Sequence, residues 1–373
     1  MGRANKKKST LRGILGDRRL PVSLRAELAT MSVRGTLEFG LEGIEHKHHA
    51  QMESVMHQVG VLVLGCNRHT AVEAVRGELG WMSVKNSIMK KKLQLVKRAE
   101  ERVEKKPESL YSRVWTAGWK NPASKSIAAE AHRWVQKLSG QPEEGEKRVE
   151  RAMKEVRARD VREWREGCEE KSSLERYRAA KQIPEREPYL SVLPSKLAGF
   201  KFKVRSNTLP VAAFLAKQGK GREECQICGN TETLLHFLDE CVGLREERER
   251  CVRELGEGEL LSQWLLQSGT WKDYSPEQDW KITEEAFKMW KRRIQLSFGG
   301  PLRLGGPQIT FYTPTNTHDK HHALIIPHTP ITSTGEAAKV SPQQDAGIVL
   351  IVDNQAQATV HRVNGPLGST AIM

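Results

Sequence analysis

The sequence predicts a mainly α-helical protein, built of helical bundle segments with one small zinc knuckle and a disordered C-terminal tail. Apolar residues recur every three or four positions in many segments before Phe298, which is the spacing of one face of a helix. Between residues 225 and 241 the chain carries the pattern C-x2-C-x7-H-x4-C, whose spacing is typical of a zinc site. After residue 298, glycine, proline, threonine and histidine leave no period that could bury a face, apart from the apolar run 347–352.

The charge balance of the chain indicates a polyanionic partner. Among 373 residues, 60 lysines and arginines face 46 aspartates and glutamates, which gives a net charge of +14. Such a surplus favours nucleic acid, because neutralised phosphates release their bound counterions. The alternative is a basic surface without a partner. The chain has no apolar leader and no apolar run of membrane length, so we expect a reduced, intracellular protein, nuclear if it acts on DNA, with no membrane partner and no small-molecule substrate.

Helices are predicted through the first hundred residues. A clear one runs from about residue 44 to residue 64, and Gly65 is expected to end it because glycine readily takes the left-handed conformation at a helix C-terminus. A short helix is then expected to begin at the capping box that Thr70 and Glu73 would form.

A third helix is predicted from Ser83 into a run of three lysines. Three helices in this order fit either a DNA-binding helix-turn-helix or a compact bundle, and the bundle is favoured because it gives the same pattern more often. The ammonium groups of the run are candidate contacts to phosphate. They are Lys90, Lys91 and Lys92.

A charged linker is predicted in the middle of the chain. Residues 105–122 are expected to connect two regions, and residues 143–182 carry charges of both signs around a thin apolar stripe, which is typical of a solvated helix. The predicted organisation has five parts: a helical region at 1–106, a charged linker at 107–195, basic helices with the knuckle at 196–252, C-terminal helices at 253–298, and a disordered tail at 299–373.

Cations and aromatic residues alternate just ahead of the knuckle. The cations of such a segment can contact phosphate while the rings stack on bases. The rings can instead pack inward, which is the commoner outcome for residues such as Phe200 and Phe202. The candidate phosphate contacts in this segment are Lys196, Lys201, Lys203 and Arg205.

The predicted metal ligands are Cys225, Cys228, His236 and Cys241. Two residues between the first two cysteines let a tight turn direct both sulfurs to one ion, and Gly229 can supply the positive φ of that turn. Three thiols and one imidazole form a tetrahedral zinc set, and four protein ligands leave no open position, so we expect a structural Zn²⁺. The alternatives are buried cysteines without a ligand, or a redox-active CxxC pair.

Beyond the knuckle, two further helices are predicted at about 244–266 and 284–296. In the second, Phe287, Trp290 and Ile294 are expected to face inward. The outward-facing residues are expected to be Lys291, Arg292 and Arg293.

Four short motifs precede the knuckle in succession. They are residues 32–42 (SVRGTLEFGLE), 75–81 (VRGELGW), 174–177 (LERY) and 209–211 (LPV). Their order and spacing, over about residues 11–296, resemble the thumb and the downstream zinc-binding region of non-LTR retrotransposon reverse transcriptases. That family has a tyrosine where this chain has Phe39.

The resemblance implies that residues 1–106 are thumb-like and grip template and nascent duplex, and that the zinc region binds element RNA or target DNA. Only the four metal ligands are carried over from the family. Polymerase chemistry needs paired carboxylates for two metal ions, and the chain has no Asp-Asp dipeptide; the Pro-Asp of a downstream endonuclease is also missing. The sequence therefore predicts a nucleic-acid-binding remnant that is not an enzyme.

Two other functions fit the same features. In the first, the knuckle and the charged helix form a scaffold that binds other proteins. In the second, the chain supplies thumb function in trans to an intact reverse transcriptase.

Overall fold

The computed structural model describes residues 2–41, 48–140, 148–253, 260–267, 275–298, 347–352 and 358–363. The chain divides into two compact units, residues 1–302 and 303–373. The described part of the first unit is mainly helical, as the sequence predicts.

The described residues of the first unit form sixteen α-helices, together with two π-helical and two 3₁₀ turns. The α-helices are α1 (Gly2–Gly16), α2 (Val22–Ala29), α3 (Gly35–Glu38), α4 (His49–Leu64), α5 (Val72–Leu79), α6 (Val84–Lys105), α7 (Leu110–Lys120), α8 (Ile127–Ser139), α9 (Arg148–Glu169), α10 (Glu175–Ala180), α11 (Tyr189–Val192), α12 (Ser195–Arg205), α13 (Ala212–Ala216), α14 (Arg245–Arg253), α15 (Leu261–Leu266) and α16 (Pro276–Phe298). The π-helical turns are Thr30–Arg34 and His236–Glu240, and the 3₁₀ turns are Ser172–Leu174 and Val242–Leu244.

Several helix ends follow directly from the local sequence. The hydroxyls of Ser83, Ser109 and Ser126 cap α6, α7 and α8, each by accepting the backbone N–H three residues later. Gly65 and Gly80 end α4 and α5 with φ of 62° and 65°, in the left-handed conformation that glycine adopts without strain. The prediction for Gly65 is confirmed.

The capping box predicted at Thr70 is wrong. Helix α5 follows Ala71, and no side chain caps its first turn. A turn in which the Thr70 N–H donates to the carbonyl of Asn67 at 3.0 Å leaves Thr70 one residue too early to act as the cap.

The largest apolar core of the first unit is formed by α1, α2, α4 and α5 with the last turns of α9 and the helices α10 to α12. Trp164 of α9 and Tyr177 of α10 lie edge to face at its centre, with ring centroids 6.3 Å apart. The indole N–H of Trp164 donates to the carbonyl of Glu73 at 2.8 Å, so the polar edge of this buried ring is satisfied.

Helices α6 to α9 form a bundle with a second core of their own. Trp115 and Trp119 lie on α7, which occupies the stretch predicted to be a connector, and Trp119 stacks on His132 of α8 at 4.8 Å. Because α7, α8 and α9 all contact α6, the third predicted helix is packed in this bundle and is not a free recognition helix. The apolar stripe of the charged helical linker region predicted at 107–195 is packed, since Val156 and Trp164 of α9 are buried in two different cores.

Helix α12 is shared between the large core and a third core around the knuckle. Leu197 and Phe202 face the large core, while Phe200 and Val204 face the third. Both phenylalanines are buried, so their rings pack inward and do not stack on bases.

In the second unit the structure describes two antiparallel strands, β1 (Gly347–Val352) and β2 (Ala358–Val363), with Gly347 opposite Val363 and Val352 opposite Ala358. Strand β1 is the apolar run that the sequence distinguishes within the tail. The rest of the predicted disordered tail lies outside the described residues. Among the described helices, none combines the length and the apolar character needed to cross a bilayer.

Gly77 provides a test of this packing. A Cβ at this position would lie 2.6 Å from the Tyr177 hydroxyl and 2.9 Å from Cζ2 of Trp164. Both rings are buried and cannot shift freely, so we expect Gly77→Ala to lower the free energy of unfolding by about 1–3 kcal/mol, measured by urea denaturation. Gly35→Ala is the control, because the nearest atom to its Cβ would be 3.9 Å away and alanine favours the helix by about 0.5–1 kcal/mol. Equal stability of Gly77→Ala and the unchanged chain would contradict this packing.

Candidate metal centre

The structure brings all four predicted ligands together. One ligand atom from each of Cys225, Cys228, His236 and Cys241 lies within 4.8 Å of the others. The Cys241 sulfur is 3.9 Å from the sulfurs of both Cys225 and Cys228, and the Cys228 sulfur is 3.2 Å from Nε2 of His236. Four donors at these distances can hold one metal ion.

The first two cysteines lie on a tight turn that the sequence anticipates. Gly229 has a φ of 81°, which the absence of a Cβ permits. Its N–H donates to the carbonyl of Cys225 at 2.8 Å, and the N–H of Cys225 donates to the carbonyl of Asn230 at 2.6 Å. The turn therefore directs both thiols to the same side.

The other two ligands lie on and just after a short helix, also as predicted. The Thr233 hydroxyl accepts the backbone N–H of His236 at 3.0 Å and so caps the first turn. The helix then widens into the π-helical turn His236–Glu240, in which the N–H of Cys241 donates to the carbonyl of His236 at 2.7 Å. This bond spans five residues, so the turn closes with Cys241 next to the imidazole.

A buried carboxylate joins the knuckle to the C-terminal helix. Glu232, only 1% exposed, accepts the N–H of Ala212 at 2.6 Å and forms a bidentate pair with the Arg293 guanidinium, whose Nε donates at 2.7 Å. Phe237 packs edge to face against Trp290, with centroids 5.2 Å apart. The prediction that Arg293 faces outward is therefore wrong, because the buried Glu232 carboxylate requires a counter-charge.

The polar environment of the donors suits a metal ion. Burial is the main cause that raises the pKa of the Cys241 thiol to about 12, and the negative charge of a Cys225 thiolate raises it as well. An ion must therefore displace a proton when it binds. With Nε2 of His236 among the sulfurs, Nδ1 faces the Glu240 carboxylate at 3.9 Å. A carboxylate on this side favours the imidazole orientation that ligation through Nε2 needs.

The arrangement also distinguishes between the alternatives for the CxxC pair. All six cysteines are free thiols. A redox pair would require only Cys225 and Cys228, whereas here His236 and Cys241 converge on the same point from a separate element. Convergence of four donors is the property of a metal site.

The structure corrects three of the predicted phosphate contacts. Lys92, Lys201 and Arg205 are at most 5% exposed, and each forms an ion pair with a carboxylate. Lys201 pairs with Asp279, and the Lys92 ammonium also lies 3.8 Å from the centre of the Trp134 ring. Side chains buried in this way cannot reach a phosphate.

The other predicted contacts differ in how accessible they are. Lys196 is exposed, while Lys90, Lys91 and Lys203 are half-buried. Lys91 forms an ion pair with Glu38 at 3.0 Å. Lys90, Lys196 and Lys203 therefore remain candidates on grounds of exposure.

Three exposed cations beside the knuckle were not predicted from the sequence. Lys217, Lys220 and Arg222 are exposed, and within the described residues none of them forms an ion pair. They lie on a loop in which Gly219 and Gly221 have positive φ, of 71° and 91°. The glycine-interrupted basic run that ends at Arg222, two acidic residues before the first ligand, is the signal that could have identified them.

The fold and the cluster define a mainly helical protein with a Cys₃His site that can hold a metal ion. Comparison with known proteins yields no match, because no family model fits the chain and neither a curated protein nor a solved structure resembles it significantly.

Proposed function

We propose that the chain is a zinc-stabilised module that binds nucleic acid and has no polymerase activity of its own. The donor set supports zinc, because thiolates with imidazole in a tetrahedral arrangement are a common structural zinc site. A zinc–sulfur bond of about 2.3 Å places tetrahedral sulfurs about 3.8 Å apart. The separations of 3.9 Å between Cys241 and the other two sulfurs agree with that value.

The observation that carries nucleic-acid binding is the unpaired basic loop next to the knuckle. Lys217, Lys220 and Arg222 are exposed and outnumber the two exposed glutamates, Glu223 and Glu224, that separate them from the ligand Cys225. An ion held by the knuckle would fix the end of this loop, so the three cations would face a phosphate backbone as a group. Contacts of this kind supply affinity by counterion release and do not depend on base sequence.

The identity of the nucleic acid follows from the resemblance to non-LTR retrotransposon reverse transcriptases. It supports element RNA or target DNA as the ligand, the nucleus as the place of binding, and an intact reverse transcriptase as a further partner. The lack of an Asp-Asp pair in the sequence supports a module without catalysis.

The salt dependence of binding tests this proposal. We expect the chain to bind single-stranded RNA or duplex DNA, with an affinity that falls steeply between about 50 mM and 200 mM salt. Reversing the charge of Lys217, Lys220 and Arg222 to glutamate is expected to reduce the slope of log affinity against log salt by about 2 to 3, because each phosphate contact contributes about 0.7–0.9. Fluorescence anisotropy titrations at several salt concentrations measure this slope.

A matched variant controls for net charge. Lys105, Lys106 and Lys137 are also exposed but lie at the end of α6 and on α8, so their reversal changes the net charge equally. We expect this control to retain most of the slope. Absence of binding at low salt, or equal losses in the two triple variants, would contradict the proposal.

A protein-binding scaffold is the second candidate, and one feature favours it. Leu110 and Val114 of α7 are 75% and 63% exposed, and they form an apolar strip with Tyr111. Pull-down after nuclease treatment separates the two functions, because partners bridged by nucleic acid disappear while directly bound proteins remain. Retention of protein partners together with an absence of nucleic-acid binding would favour the scaffold.

A further inference from the structure

Four cations line one recess on the surface of the first unit. The recess is small, with a cavity volume of about 20 Å³, and opens to solvent. It lies where the segment after α1, the helix α2, the end of α4 and the start of α12 meet. The cations are Arg18, Arg25, Lys196 and Lys203. The other lining residues are Leu64, Gly65, Ser195 and Gly199.

No carboxylate forms an ion pair with these cations within the described residues, although the charge of Asp17 lies close enough to act on Arg25. The nearby Asp17 carboxylate is occupied by Arg19, whose guanidinium donates to both of its oxygens at 2.7 and 3.0 Å. The recess therefore differs from the rest of the interior, where buried cations such as Lys201 and Arg205 are paired with acids.

Arg25 carries an unused hydrogen-bond donor in the wall of the recess. Its side chain is buried, with an exposure of 2% for the residue. One terminal nitrogen donates to the carbonyl of Leu15 at 3.0 Å and the other to the Ser195 hydroxyl, but Nε is buried and has no partner. A buried unsatisfied donor is costly, so the chain leaves this guanidinium less well compensated than its other buried cations.

The start of α12 adds to the positive potential. Ser195 and Lys196 lie in the first turn of this 11-residue helix, where the backbone N–H groups have no partners within the helix. Such a terminus carries about half a positive charge and binds anions readily. The carbonyl groups at the end of α4 contribute a negative potential equivalent to about half a negative charge. The four cations outweigh this contribution.

The cations destabilise one another in the chain alone. Burial, followed by the charge of Arg18, lowers the pKa of Lys203 to about 8 and that of Arg25 to about 10. The charged forms of both groups are thus disfavoured in the recess, and a bound anion would remove this penalty.

We infer that this recess is a binding site for a phosphate group. Four cations without ion pairs and a helix N-terminus match a dianion with several acceptor oxygens better than they match a single carboxylate. The inference does not rest on the nucleic-acid binding proposed above, because a free phosphate ion has the same chemistry as a terminal phosphate of a nucleic acid.

Calorimetric titration of the full chain with inorganic phosphate tests the site, with sodium chloride at matched ionic strength as the reference. We expect phosphate to bind and to raise the melting temperature, whereas chloride does neither. Arg18→Gln combined with Lys203→Gln is expected to raise the Kd for phosphate at least about tenfold, the effect of losing hydrogen bonds to a charged group. The matched control, Lys105→Gln combined with Lys137→Gln, should leave this Kd unchanged, because both lysines are exposed on α6 and α8 away from the recess.

Arg18→Gln alone guards against a variant that fails to fold, because Arg18 is exposed. Without phosphate, its melting temperature should equal or exceed that of the unchanged chain, since a repulsive charge has been removed, and its response to phosphate should be reduced. A phosphate response no larger than that of chloride, or one that is the same in these variants and in the control, would overturn the inference.

Two further ligands distinguish the sources of the phosphate. A trinucleotide with a 5′-phosphate that binds more tightly than inorganic phosphate, and loses this advantage in Arg18→Gln, would assign the site to a nucleic-acid end. Equal affinities for the phosphorylated trinucleotide and for inorganic phosphate would assign the site to the free phosphate ion. Either result supports a phosphate site, whereas equal affinity for the phosphorylated and unphosphorylated trinucleotides, together with no specific binding of inorganic phosphate, would contradict it.

Discussion

Replacing Cys228 by serine is expected to abolish metal binding and to unfold the knuckle. The thiolate is one of four donors, and structural zinc sites contribute apparent binding free energies of about 10–16 kcal/mol near neutral pH. Without an ion, the thiols and the imidazole no longer hold the turn at Cys225 against the helix that carries His236. Phe237 and Leu238, which are fully buried behind the ligands, would then become accessible.

Metal analysis and limited proteolysis measure this effect together. We expect the variant to contain no zinc and to be cleaved between residues 225 and 241. Cys66→Ser is the matched control, because Cys66 is also half-buried and free but lies outside the cluster. Unchanged metal content and unchanged resistance to protease in Cys228→Ser would contradict the assignment.

Replacing Arg205 by methionine is expected to cause the second large effect, a loss of about 3–5 kcal/mol in the free energy of unfolding. Arg205 is fully buried and donates to the Glu78 carboxylate at 2.7 Å and to that of Glu187 at 3.2 Å. Methionine fills much of the same space but carries no positive charge, so the carboxylates of Glu78 and Glu187 both lose their ion pair with Arg205. Removing one partner of a buried charge network costs more than the network itself contributes, because the remaining charge stays in the interior.

The network around Glu78 explains why this loss would spread through the fold. The Tyr177 hydroxyl donates to Glu78 at 2.9 Å, and the Tyr189 hydroxyl donates to the other oxygen of the same carboxylate. Burial, and then the charge of Glu78, raises the pKa of both tyrosines well above its usual value, so both remain donors at neutral pH. One carboxylate therefore joins α5, α10, α11 and α12.

Urea denaturation followed by circular dichroism measures the effect. Arg245→Met is the control, because Arg245 pairs with Glu249 on the exposed surface of α14, at 76% side-chain exposure. An exposed pair four residues apart contributes about 0.5 kcal/mol or less. Similar losses in the two variants would show that burial of the Arg205 network does not stabilise the fold as described.

The metal ligands could be predicted from the sequence because their arrangement is local. All four lie within one short segment, and their spacing is set by a tight turn and a single turn of helix. The end of α4 at Gly65 and the start of α6 at Ser83 were predictable for the same reason, since a left-handed glycine and a capping hydroxyl act on adjacent residues.

The buried cations could not be predicted because their partners are remote in sequence. Arg205 meets Glu78 across 127 residues, and Lys201 meets Asp279 across 78. An analysis of hydrophobic periodicity assigns every lysine and arginine to the solvated face of a helix. Only the tertiary fold brings a remote buried carboxylate next to one of them. The recess could not be predicted because its cations are also remote from one another in the sequence. Lys196 and Lys203 lie in the predicted basic segment, but Arg18 and Arg25 lie far away in the sequence.

The packing of the middle of the chain was missed because its apolar signal is weak. Helix α9 presents a narrow stripe between many charges, which is also typical of a solvated helix. Each end of that stripe nevertheless packs in a core. The sequence predicts a connector at residues 105–122, whereas tertiary packing makes α7 part of the bundle, with Trp119 stacked on His132 of α8.

Elemental analysis with X-ray absorption at the zinc edge tests the central claim most directly. For the purified full chain we predict one zinc ion per molecule, with three sulfur neighbours at about 2.3 Å and one nitrogen neighbour at about 2.0–2.1 Å. A folded, protease-resistant chain that contains no metal, or a zinc ion surrounded mainly by oxygen, would contradict the account.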